Sequence, residues 1–114
     1  MDDSHFLEVQ LHRGARRETV VDAVGDLDLA FVDRLRKEIL PAVERGTVVL
    51  DVSRVTFFDS SGLRALLEAN HEARVHGAVF RVAAPSTAVA RVFELTGALT
   101  VLEVYPDVES ALRD

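Results

Sequence analysis

Residues Val48 to Leu67 read VVLDVSRVTFFDSSGLRALL, and the fold turns on how this stretch is read. Val48, Val49 and Leu50 form an apolar run short enough for one buried strand. Asp51, Ser53 and Arg54 interrupt it with polar loop chemistry, and Val55, Phe57 and Phe58 return the chain to apolar packing. Asp59-Ser60-Ser61-Gly62 follows, and Leu63, Leu66 and Leu67 then fall at helical spacing. The stretch is a strand, a short connection and a helix whose start is marked by Asp and Ser. Two hydroxyls and a carboxylate thus come to lie where helix N–H groups point outward and the dipole favours negative charge, so a functional site is expected here.

Working outward, Thr47 to Val52 is apolar enough for burial on both faces, as in a parallel sheet covered by helices. Upstream, Phe6, Val9 and Leu11 mark a first strand, and Thr19 to Val24 a second, antiparallel to it because the connection is short. Between them, Arg13-Gly14-Ala15-Arg16-Arg17 reads as a solvated hairpin turn rather than an anion patch. Gly25-Asp26-Leu27-Asp28 closes the second strand, and Asp28 is a candidate N-cap for a helix carrying Val32, Leu35, Ile39 and Val43. Pro41 should kink or restart that helix, since it lacks an N–H and crowds the preceding turn; Gly46 ends the element.

Downstream, the helix from Ser60 runs to about His76 and stops at Gly77, with Arg64 and Glu68 four apart on its outer face. Ala78 to Ala84 is a further strand. Pro85-Ser86 opens a helix with Ala88, Val89, Val92 and Phe93 inward, ending near Thr96-Gly97. Thr100 to Val104 is a last strand, and Pro106-Asp107 starts a short helix with Val108, Ala111 and Leu112. The expected class is α/β: one domain over 1–114, with a mixed, mostly parallel sheet of about four to five strands and about four helices.

Composition bounds the function. A chain of 114 residues buries roughly 65% of its unfolded surface, enough for a core without staples. A net charge of −6 argues against nucleic acid and anionic membrane as partners. No cysteine is present, which removes disulfides and thiol chemistry and fits the cytoplasm. MDDSHFLEVQ has no apolar signal core, and no run approaches the roughly 18 apolar residues of a membrane span.

Several chemistries fail on spacing. His71-Glu72 and His76 resemble H-E-x-x-H, but histidines five apart point about 140° apart on a helix and cannot share a metal. No phosphate loop and no G-x-G-x-x-G occurs. Ser60-Ser61-Gly62 is not a nucleophile elbow, and no histidine has an evident role as its base. Asp59 resembles a receiver phosphoacceptor only in following a strand. No catalytic residue, metal or cofactor is therefore expected. Taken alone, Asp59-Ser60-Ser61 fits a helix cap as well as a site.

Three ordered segments resemble the STAS domain, the family of bacterial anti-sigma-factor antagonists: Gly25-Asp26-Leu27-Asp28, the Val48–Leu67 strand–loop–helix, and Val89 to Gly97 with its Leu-Thr-Gly ending. The resemblance covers essentially the whole chain. It implies a binding module, not an enzyme, whose partner is an anti-sigma factor that is also a serine kinase of the histidine-kinase-like ATPase fold. It implies phosphorylation at Ser60, with Ser61 the lesser candidate, and resetting by a PPM-type serine phosphatase. Asp28, Asp59, Ser60, Ser61, Gly62 and Arg64 are the implied partner-binding residues, Arg64 being a departure where some members carry glycine. The alternative is a STAS domain that binds a partner or small anionic ligand with no phosphorylation switch. A phosphate on Ser60 is expected to gain modestly from the helix N-terminus, less repulsion from Asp59, and to meet no cation at the acidic partner face.

Overall fold

A computed structural model describes residues 5–113; residues 1–4 and 114 of the expected 1–114 domain lie outside the described residues. Alternating inward residues build β1 (Leu7–Arg13) and β2 (Thr19–Leu27), an antiparallel hairpin. Then come α1 (Val32–Val43), β3 (Val48–Phe58), α2 (Ser60–Val75), β4 (Phe80–Ala83), α3 (Thr87–Thr96), a 3-10 turn at Ala98–Thr100, β5 (Glu103–Tyr105) and α4 (Val108–Arg113). The sheet order is β1-β2-β3-β4-β5, parallel from β2 onward. The expected mixed, mostly parallel sheet with four helices is therefore present.

The two faces of β3 separate the core. Val48, Leu50, Val52, Val55 and Phe58 pack with Leu35 and Ile39 of α1, Leu66 of α2 and Val89 and Phe93 of α3. Val49 packs on the opposite face with Ala83 of β4 and Ala111 of α4. Phe58 meets Phe93 edge-on at 5.9 Å, which ties α3 to the end of β3 directly below the Asp59 loop.

Four expectations are corrected. Ser53 and Arg54 do not form a loop: β3 runs unbroken for 11 residues. Its pairing with β2 slips twice, from Asp22↔Asp51 to Val24↔Arg54 and from Gly25↔Val55 to Asp26↔Phe57, and each slip inserts one extra β3 residue. These two bulges re-aim the strand, so that Val52, Val55 and Phe58 all reach the core while Ser53-Arg54 and Thr56-Phe57 face outward. Pro41 does not restart α1, which continues through it; it sits exposed in the last turn, where only two helical residues follow. The second strand extends to Leu27. The final strand starts at Glu103, because Gly97, in the left-handed conformation, ends α3 and leads into the 3-10 turn.

Candidate functional site

The site is built where β2 and β3, parallel neighbours, both end. Leu27 stands opposite Phe58 in the register, so the Asp28 and Asp59 loops leave the sheet side by side. Asp59 N–H donates to Leu27 O at 3.4 Å. Gly62, in the first turn of α2, seats the helix against that same carbonyl: a Cβ there would lie 2.7 Å from Leu27 O and 2.8 Å from the Phe58 ring. The glycine of the motif is thus required by close approach of two backbones, not by an unusual φ.

Asp59 caps α2. Its Oδ1 accepts from Ser61 N–H at 2.9 Å and Gly62 N–H at 3.3 Å, and its carbonyl accepts from Leu63 N–H. Ser60 is the exposed first residue of the helix; Ser61 is half-buried. The cap and the exposed hydroxyl are therefore on different residues, and capping by Asp59 leaves Ser60 at the surface.

Asp28 does not act as the N-cap of α1, whose cap position is Phe31. Instead its Oδ1 accepts from Ala30 and Phe31 N–H at 3.0 and 3.2 Å, which closes the turn before the helix. Its Oδ2 lies 3.0 Å from His5 Nε2, and Asp26 Oδ2 is 3.6 Å from the same nitrogen. The His5 ring packs against Phe31 at a tilt of 58°, with ring centroids 4.6 Å apart. The His5 contact, helped by the Phe31 and Ala30 N–H groups and opposed by partial burial, holds the Asp28 carboxyl below the usual carboxylate range. His5, Asp26 and Asp28 are also the one group of three among the described residues whose ligand atoms, all within 4.8 Å of each other, could hold a metal; His71, on α2, and His76, which caps its end, lie exposed outside that group.

A groove of about 500 Å³ runs beside the loops, lined by Leu29, Val32, Arg36, Ser60, Ser61, Arg64, Ala65 and Glu68. Glu68 turns to α1 rather than to Arg64: Arg36 Nε and Nη2 donate to its two oxygens at 2.7 and 2.8 Å, and Arg36 Nη1 reaches Asp33 at 3.2 Å. Two arginines, Arg36 and Arg64, thus line the same groove as Ser60. A second cavity, of about 610 Å³, lies at the far end of β2 between the hairpin and the end of α1. Arg13, Arg17 and Arg45 line it together with Glu18 and Glu44, so the hairpin arginines face a mixed-charge surface.

All six expected residues, Asp28, Asp59, Ser60, Ser61, Gly62 and Arg64, therefore fall at one end of the sheet. His5, Asp26 and Arg36 join this end of the sheet without being among the expected residues. For His5 a signal existed: the hairpin register, carried two residues past Leu7↔Gly25, sets His5 opposite Leu27, between the two aspartates.

A family model described as STAS domain matches residues 7–111. The chain belongs to the STAS domain family. It is 26% identical over 111 residues to an anti-sigma F factor antagonist of Paenibacillus polymyxa, covering 95% of this chain and 92% of that protein. An anti-sigma factor antagonist of Mycobacterium paratuberculosis superposes with a TM-score of 0.86 at 26% identity, over 96% of each chain. The Bacillus cell fate determinant SpoIIAA in its phosphorylated form superposes with a TM-score of 0.71 at 25% identity, over 93% of this STAS domain and 98% of that chain. Among the described residues of this STAS domain, no helix is long and apolar enough to cross a membrane.

Proposed function

We propose that this STAS domain is an anti-sigma factor antagonist: unphosphorylated, it binds an anti-sigma factor that is also a serine kinase, and phosphorylation of Ser60 releases that partner. The observation that carries the reading is the exposed Ser60 at the start of α2, beside a groove and at the end of the sheet where the Asp28 and Asp59 loops leave side by side. The kinase transfers the γ-phosphoryl group of ATP to Ser60 Oγ; the hydroxyl proton leaves and ADP is released. A PPM-type phosphatase reverses the step by hydrolysis. The domain itself is a binding module without catalysis, acting in the cytoplasm and not on nucleic acid or membrane. Antagonist relatives at 26% identity, and a structural neighbour in a phosphorylated form, support this assignment.

Asp28, Asp59, Ser60, Ser61, Gly62 and Arg64 form the partner face in this reading. Phosphate added there brings a charge of about −1.5 to −2. An acidic rim meeting a basic partner then becomes too negative and too bulky to dock, while the fold stays intact. The test is incubation with the partner kinase and ATP, followed by intact mass and peptide mapping. Ser60→Ala should abolish the mass gain and Ser61→Ala only reduce it. Phosphate mapped to Ser61 alone would overturn the acceptor, and binding with no mass gain would favour an unswitched binding domain.

A further inference from the structure

Ser60 opens α2 and Arg64 stands one turn later, so their Cβ atoms are about 5–6 Å apart on one face of the helix. Both are exposed and both line the 500 Å³ groove. Two features make a phosphate on Ser60 depend on that arginine. Three of the first four N–H groups of α2, which would otherwise hold an anion, are already occupied: Ser61 and Gly62 donate to the Asp59 carboxylate and Leu63 to the Asp59 carbonyl. The Asp59 charge, moreover, repels a neighbouring phosphate. The second arginine of the groove is committed, since Arg36 holds Glu68 with two hydrogen bonds and Asp33 with a third. Arg64 has no hydrogen-bond or ion-pair partner among the described residues.

We propose that Arg64 is the internal counter-ion of the Ser60 phosphate, pairing with it across one turn of α2. The proposal rests on the reading of Ser60 as the phosphoacceptor and adds what happens after transfer. An arginine can hold two phosphate oxygens with two N–H donors, and the groove leaves room for the group. Before phosphorylation the same guanidinium is available to a carboxylate of the partner; afterwards it is drawn to the phosphate. The partner then loses a cation as well as meeting a new negative charge.

The test uses the full chain with phosphoserine installed at position 60 by nonsense suppression, so that it does not depend on any kinase. Phosphorus NMR follows the second ionisation of the phosphate, which lies near pH ~6 when unpaired. Pairing with a cation favours the dianion and lowers the midpoint. The native chain should titrate about half a pH unit below Arg64→Gln, Arg64→Lys should recover much of the difference, and high salt should shrink it. Equal midpoints in the native and Arg64→Gln chains would overturn the proposal. Failure of the kinase to modify Ser60 would instead overturn the acceptor assignment and leave this midpoint difference in place, so the two claims fail separately.

Discussion

Replacing Gly62 with alanine asks whether the Asp28 and Asp59 loops are pressed together as tightly as the distances indicate. Inside an ordinary helix this change stabilises by up to about 1 kcal/mol, because glycine loses more backbone freedom on folding. Here the added Cβ would lie 2.7 Å from Leu27 O and 2.8 and 2.9 Å from Phe58 ring atoms. The nearest neighbour is backbone and cannot swing aside, and the ring is packed against Phe93. Overpacking of this kind costs about 1–3 kcal/mol. The clash therefore outweighs the propensity gain, leaving a net loss of about 1 kcal/mol and a melting temperature lower by about 4–8 °C. Urea unfolding at unchanged m gives the free energy, and calorimetric titration reports whether separating the two loops also weakens the partner. A Gly62→Ala chain more stable than the parent, as propensity alone predicts, would refute the close approach of α2 to Leu27.

Asp59→Ala should cost about 0.5–2 kcal/mol in thermal unfolding, because Ser61 and Gly62 N–H lose their acceptor, and Asp59→Asn should recover most of it. Asp28→Ala should weaken the partner kinase by about 1–3 kcal/mol in calorimetric titration; an unchanged dissociation constant would reduce Asp28 to a turn residue. Since folding lowers the Asp28 pKa, its contribution to stability is fully present above its unfolded value near pH ~3.9 and is lost as pH falls through the folded value. Denaturation of the parent and Asp28→Asn chains should therefore differ near neutrality and converge in acid, while His5→Ala should raise the Asp28 midpoint seen by carbon NMR. Phe93→Ala should cost about 3–5 kcal/mol, as removal of a buried ring that supports the end of β3.

Element types and order were legible in the sequence because apolar spacing and caps agree along most of the chain. Ser86, Gly77 and Gly97 stand at the helix ends where cap chemistry predicts them. What period-two alternation could not reveal was the pair of bulges in β3, since an inserted residue turns two successive side chains outward, and at Ser53-Arg54 that pair is polar and imitates a loop. Pro41 misled for a related reason: its penalty falls on a turn that is already ending, so the helix tolerates it. At the site, Asp28, Asp59, Ser60, Ser61 and Gly62 were legible as motif residues. Their adjacency follows from the β2–β3 pairing, and the Arg36–Glu68 bonds, 32 positions apart in sequence, depend on how α1 packs against α2.

In the proposed function, a phosphate on Ser60 acts at the partner face rather than on the fold. Calorimetric titration of the partner kinase with the unphosphorylated and the Ser60-phosphorylated chain tests it most directly. The account predicts affinity lower by at least about tenfold, or 1.4 kcal/mol, in the phosphorylated chain. Equal dissociation constants for the two forms would contradict it.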